Sequence, residues 1–253
     1  GYTFMGWSTK PMQSVSPQYE AEEKITVNGN VDLYAVVFNR TTETDLTEDQ
    51  LPQVDIYKYK QVIFVGDSRT EFMENVLTGM GESATKNVKF VCSAGKGLDW
   101  FTTTGWAQLY SIVQHDSNSI LSKKTAVIFN FGVNDLSKSA DYAEYYNWIA
   151  PQLKSKGCEL YFMSVNPVNR LMLPNAGRAD RSEAAVRSFN QYMKANLSSA
   201  YTYIDMYSYL KSTGYSFASD HYGTGTVDDG LHYTTRTYKR IFAKCMDSLR
   251  VPA

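Results

Sequence analysis

The chain has 253 residues and a mass of 28.6 kDa, enough for one large domain or a domain with an appendage, which excludes small scaffolds held by disulfides or a metal. Hydrophobic residues make up 43%, and 25 Lys and Arg against 26 Asp and Glu leave a net charge of -1, so nothing favours nucleic acid or an acidic membrane surface as a partner. Aromatic residues reach 14%, with 19 Tyr, which excludes a disordered chain.

Residues 1–7 and 31–38 are aromatic-rich and strand-like, and a turn signal at Asn28-Gly29-Asn30 lies in the polar stretch between them. A small β appendage over residues 1–40 is expected. Gly1-Tyr2-Thr3-Phe4-Met5-Gly6-Trp7-Ser8-Thr9 followed by Leu33-Tyr34-Ala35-Val36 resembles the Listeria-Bacteroides repeat, a β module found in tandem on bacterial surface proteins. The likeness covers residues 1–38, lacks that module's opening strand and occurs once, so an unrelated β extension stays open as the alternative. The resemblance implies an extracellular or cell-surface setting in a Gram-positive bacterium. Residues 41–56 are polar and acidic with Pro52 near their end, and read as a linker to a main domain over 57–253.

From residue 57 short apolar runs alternate with amphipathic stretches. Residues 62–65, 88–91, 126–131, 160–165 and 201–204 read as strands, most of them apolar on both faces. Helices are expected over about 70–79, 99–114, 140–156, 181–197 and 234–249. Strict alternation predicts an α/β class fold, a three-layer α/β/α sandwich with a five-stranded parallel sheet and right-handed crossovers. In such sheets ligands bind beyond the carboxyl ends of the strands.

Four segments at those ends carry possible chemistry. Gly66-Asp67-Ser68-Arg69-Thr70 puts a hydroxyl between the first main-domain strand and a helix, where the Ser68 N–H can also stabilise a developing oxyanion; an ordinary helix N-cap is the plain alternative. Thr70 stands where the G-x-S-x-G elbow needs its second glycine. Ser93-Ala94-Gly95-Lys96-Gly97-Leu98-Asp99-Trp100 follows the second strand, with two glycines that allow close backbone approach. Phe131-Gly132-Val133-Asn134-Asp135 follows the third, where Asn134 either aims an amide at the same space or forms an Asx turn. Asp228-Asp229-Gly230-Leu231-His232-Tyr233-Thr234 precedes the last helix and pairs a carboxylate with an imidazole three residues on, an orienter and a base. Only three His compete for the base, and His221 in a Tyr-rich loop is the rival, since His115 reads as a helix end.

Taken in order, Gly66-Asp67-Ser68, Gly95 or Gly97, Gly132-Val133-Asn134-Asp135 and Asp229-Gly230-Leu231-His232 resemble the SGNH hydrolases, the GDSL esterase and lipase superfamily, over residues 60–250. The longer strings around Ser68 and Trp100, with Ser164-Val165-Asn166-Pro167-Val168, are similar to a branch common in gut Firmicutes. The resemblance implies Ser68 as nucleophile, His232 as general base, Asp229 as its orienting carboxylate, and an oxyanion hole of the Ser68 N–H, the N–H of Gly97 or Gly95, and Asn134. It implies an acyl-enzyme and requires neither metal nor cofactor. With His232 as base, kcat/KM is expected to rise through about pH 6 to 7.5.

The ester is narrowed by loop chemistry. No long apolar loop suggests a lipid mouth, whereas Asn166, Asn169, Arg170, Asn175, Arg178, Asp180 and Arg181 are polar. Trp100, Trp106, Tyr222 and Tyr233 lie near the motifs, where they either stack on sugar rings or fill core. Asp67, Arg69, Trp100, Asn166 and Tyr233 are the candidate substrate contacts. The expected activity is O-deacetylation of a glycan, with a lipase or thioesterase, or a glycan-binding module without turnover, as rivals. The partner is then an acylated glycan or other small ester, and the protein is expected to act as a monomer.

Cys92, Cys158 and Cys245 are too few and too far apart for a disulfide framework, and no CxxC pair exists to hold zinc. They stay open between free thiols and one pair. No stretch approaches the ~18 apolar residues of a membrane span. The opening residues lack the features of a signal peptide, and with no initiator Met the chain reads as part of a longer precursor.

Overall fold

The computed structural model describes residues 1–55, 58–116, 124–174, 181–218 and 228–249. Two strands at the N-terminus, β1 (Tyr2–Ser8) and β2 (Tyr34–Asn39), form an antiparallel pair with a bulge between Phe4 and Gly6. The main sheet has five parallel strands: β3 (Tyr59–Gly66), β4 (Val88–Cys92), β5 (Lys124–Asn130), β6 (Cys158–Met163) and β7 (Tyr201–Ile204), in spatial order β4-β3-β5-β6-β7.

Alternation along the strands splits their side chains between two cores. Val62, Phe64, Ala126, Ile128, Tyr161 and Met163 face one side, where α1 (Ser68–Met80), α6 (Met206–Thr213) and α7 (Thr235–Ser248) cover them. Ile63, Val65, Val127, Phe129, Leu160 and Phe162 face the other, against α3 (Trp106–Asp116), α4 (Ser139–Ser155) and α5 (Glu183–Asn196). The expected α/β/α sandwich is therefore the observed one. The edge strands β4 and β7 are the half-exposed members, as their Lys89 and Thr202 indicate.

Two elements depart from the sequence reading. The helix expected over 99–114 is built in pieces, with α2 (Leu98–Trp100) and a π-helical turn at Phe101–Gly105 leading into α3. Gly105 allows this, because a Cβ there would lie 2.7 Å from the Trp100 ring. Helix α6 was not expected; Asp205 caps it by accepting from the Ser208 N–H.

The N-terminal segment is bound to the main sheet rather than tethered beside it. Met5, Val36 and Phe38, with Leu51 and Val54 from the expected linker, are buried in the same core as α1 and α7. Glu43 of that stretch is buried too and pairs with Arg240 of α7 at 3.0 Å. Lys211 of α6 reaches Glu20 at 2.8 Å and the Met5 carbonyl. A two-stranded sheet is marginal alone, so this apolar face is what holds β1 and β2 in place.

Strand order reverses direction between β3 and β5, since the chain goes outward to β4 and then returns to the other side of β3. Crevices form beyond the carboxyl ends of strands at such switch points. Ser68 comes two residues after the end of β3, and Asn134 four after the end of β5.

Candidate active site

Asp67 caps α1 by accepting from the Arg69 N–H at 3.0 Å, which makes Ser68 the first helical residue. Its N–H has no partner within the helix at that position and lies at the positive end of the helix dipole. The Ser68 Oγ lies 2.8 Å from His232 Nε2, and His232 Nδ1 lies 2.7 Å from Asp229 Oδ2. The remaining Asp229 oxygen accepts from the backbone N–H groups of His232 at 2.8 Å and Leu231 at 2.9 Å. Ser68, His232 and Asp229, distant in sequence, therefore form one hydrogen-bonded line. All three are buried, with Ser68 keeping 6% exposure.

Helical spacing adds a residue that sequence reasoning missed. Phe72 lies four residues after Ser68, on the same face of α1, and its ring stacks on the His232 imidazole at 4.3 Å between centroids. The i, i+4 spacing from Ser68 is the signal that could have found it.

The two carboxylates respond oppositely to this setting. Burial alone would raise Asp229, but the hydrogen bonds from the His232 ring and the two N–H groups outweigh it and hold the carboxyl below its usual range. Burial pushes Asp67 up to about 6, with the nearby Asp135 charge adding to the rise against the pull of Arg69. An acid whose folded pKa is raised binds its proton more tightly when folded, so its contribution to stability falls as pH rises through about 4 to 6. Asp67→Asn, which keeps the capping oxygen, is accordingly expected to raise Tm at pH 8, with the gain shrinking towards pH 4; thermal melts across that range check it. Asp229 has the other sign: its contribution is present above the ordinary carboxylate range and is lost as pH falls through its lowered folded pKa.

The glycine turn approaches from β4. A Cβ on Gly97 would meet Asp135 Oδ2 at 2.3 Å, so only glycine fits there, while Gly95 has φ 70° and open space around it. Asp135 bridges the two loops by accepting from the Leu98 N–H at 2.9 Å and from the Tyr142 hydroxyl at 2.7 Å. Asn134 donates through Nδ2 to the Lys96 carbonyl at 2.8 Å, so its side chain is held against the same turn.

Four expected substrate contacts point inward instead. Asp67, Arg69, Asn166 and Tyr233 are all buried. Arg69 donates to the carbonyls of Leu231, Asn166 and Pro167 at 2.9, 2.9 and 2.8 Å, tying α1 to the loop before His232 and to the loop after β6. Tyr233 donates its hydroxyl to Pro167 at 2.5 Å and stacks on Phe217. Arg69 and Tyr233 are corrected from substrate contacts to framework, because their polar groups are already spent on backbone, and Asp67 serves as the α1 cap; the Asn166 Oδ1 is buried with no hydrogen-bond partner among the described residues. Trp100 is half-buried and packs beside Phe131. His221, the rival base, and Tyr222, Asn175, Arg178 and Asp180 lie outside the described residues.

Arg69→Met would strand three buried carbonyls. It is expected to destabilise the fold by about 3–5 kcal/mol, read as a lower urea midpoint. An unchanged midpoint would contradict the framework role.

Among the described residues no disulfide joins the cysteines: Cys158 and Cys245 are buried and Cys92 is half-buried. Among the described residues no group of three or more His, Cys, Asp or Glu is arranged to hold a metal, and no helix is long and apolar enough to cross a membrane.

A doubly wound parallel sheet with a serine and a carboxylate-backed imidazole at its switch point belongs to the class of serine hydrolases. The family model for GDSL-like lipases and acylhydrolases matches residues 62–245, and the chain belongs to that family. A solved protein of Slackia heliotrinireducens described as an SGNH hydrolase is similar in fold, with a TM-score of 0.54 and 13% identity over 76% of this chain and 100% of that one. An acylhydrolase structure from Bacteroides fragilis gives 0.51 and 15%, over 79% of this chain and 92% of its own. At such identities the likeness concerns the fold. No curated protein sequence matches the chain.

Proposed function

We propose that this SGNH hydrolase removes O-acetyl groups from a glycan through an acyl-enzyme on Ser68. The observation that carries the reading is the unbroken line from Ser68 Oγ through His232 to Asp229. His232 takes the Ser68 proton as the oxygen attacks the ester carbonyl, and returns it to the departing sugar hydroxyl. The carbonyl oxygen becomes an anion in the tetrahedral intermediate. The Ser68 N–H, an N–H of the Gly95–Gly97 turn and the Asn134 amide are the donors that meet it. Water, activated by the same imidazole, then releases acetate.

The substrate class rests on the polarity of the surrounding surface. A cavity of about 460 Å³ adjoins Asn134; Asp135, Ser137, Arg170, Arg181 and Ser182 make most of its lining polar, beside Val133, Leu136 and Ala185. A polyhydroxylated leaving group finds hydrogen-bond partners there, whereas an acyl chain would leave those groups without water. The surface-repeat likeness of residues 1–38 supports an extracellular setting, where such glycans occur.

A series of 4-nitrophenyl esters from acetyl to octanoyl, with acetate release from acetylated xylan and acetylated peptidoglycan, tests the proposal. An acetyl optimum with release from one polymer is expected. Rates that climb towards octanoyl would replace it with a lipid or thioester substrate.

A further inference from the structure

Asn134 is held at both ends of its carboxamide. Its Nδ2 donates to the Lys96 carbonyl at 2.8 Å, and its Oδ1 accepts from Arg181 Nη2 at 2.9 Å. The neighbouring Arg181 Nε donates to the Val133 carbonyl at 2.5 Å. The adjacent Nε–H and Nη–H of a guanidinium form a rigid fork, and here the fork spans the backbone and the side chain of consecutive residues. Arg181 itself is fixed in the chain just ahead of Ser182, which caps α5 by accepting from the Ala185 N–H.

We propose that Arg181 is a positioning residue that sets the orientation and donor strength of the Asn134 amide in the oxyanion hole. The inference rests on the oxyanion reading of Asn134 given above.

Two physical effects follow from the contact. An amide can turn over about its last side-chain bond, and a turned Asn134 would present Oδ1 to the oxyanion, replacing attraction by repulsion. A cation on Oδ1 and a carbonyl on Nδ2 both disfavour that turn. With one Nδ2 hydrogen spent on Lys96, the other stays directed as a donor. A charged donor on Oδ1 also draws electron density from the amide nitrogen, so the remaining N–H becomes a stronger donor. The Arg181 charge also pulls weakly against the burial-driven rise of Asp67, the residue before Ser68.

A double-mutant cycle on turnover of 4-nitrophenyl acetate separates this role from a structural one. Asn134→Ala is expected to lower kcat by about 10²–10³-fold, as for other oxyanion-hole donors. Arg181→Met is expected to lower kcat by about 10–100-fold with KM nearly unchanged, and Arg181→Lys to recover part of that loss because it restores the charge but not the fork. In the Asn134→Ala background the added effect of Arg181→Met is expected to shrink to less than about 3-fold. Arg181→Gln carries the same cycle if the Met variant does not fold.

Equal losses in both backgrounds would overturn the inference by showing that Arg181 acts independently of Asn134. A loss carried by KM would overturn it in favour of direct substrate contact. Full activity of Arg181→Met beside a crippled Asn134→Ala would also overturn it while leaving the oxyanion reading intact. Full activity of Asn134→Ala would instead remove the reading on which the inference rests.

Discussion

Ser68→Ala is expected to lower kcat for ester hydrolysis by about 10⁶-fold, and His232→Ala by a comparable factor, because the two work as one unit. Without the Oγ no acyl-enzyme forms. Without the imidazole the hydroxyl keeps its proton at neutral pH and is a weak nucleophile. The double variant should be scarcely slower than either single one, since each already removes the whole covalent path. Single-turnover and steady-state rates on 4-nitrophenyl acetate check this, with melts to show that the variants fold. A His232→Ala protein that kept most of its activity would move the base elsewhere, with His221 the first position to test.

The second large effect belongs to Asp229→Asn, expected to cost about 10⁴-fold in kcat. The reason is tautomeric. Asp229 Oδ2 accepts from His232 Nδ1, which leaves Nε2 unprotonated and facing the Ser68 hydroxyl. Asp229 Oδ1 is already committed to two backbone N–H groups, so an asparagine keeps its oxygen there and presents its NH₂ to the ring. The imidazole must then accept through Nδ1 and carry its proton on Nε2, where it cannot take one from Ser68. Retained activity in a folded Asp229→Asn protein would mean that the tautomer is set by another group.

Much of the fold was legible because the central main-domain strands are apolar on both faces. In β3, Val62 and Phe64 alternate with Ile63 and Val65, and both sets are buried, which a sheet covered on two sides requires. The motif order was legible too, because the segments carrying Ser68 and Asn134 follow β3 and β5, neighbouring strands at the switch point. What stayed hidden was direction. Arg69 and Tyr233 are polar and close in sequence to the site, as substrate contacts would be, but their hydrogen bonds go inward to Pro167, Asn166 and Leu231. No periodicity distinguishes an arginine in a helix's first turn that faces solvent from one that ties two loops to the helix.

The same limit explains the N-terminal segment. Its strands were visible from their aromatic content, while the partner of their apolar face was not, since alternation marks a face and says nothing about what covers it. Glu43, Leu51 and Val54 sit in a stretch whose average composition is polar, and average polarity concealed these three buried side chains. Arg40 of this segment pairs with Asp228, whose other oxygen accepts from the Gly230 N–H at 3.0 Å. Residues ahead of the family match therefore brace the loop that carries Asp229 and His232.

The central claim is a covalent intermediate on Ser68 formed with help from His232, and labelling by a fluorophosphonate followed by peptide mass spectrometry tests it most directly. One adduct per chain is expected on the peptide that carries Ser68, with complete loss of hydrolysis in step with labelling and no adduct in Ser68→Ala. Full inactivation with the adduct on another residue, or rapid ester hydrolysis by a protein that Ser68→Ala leaves unchanged, would contradict it.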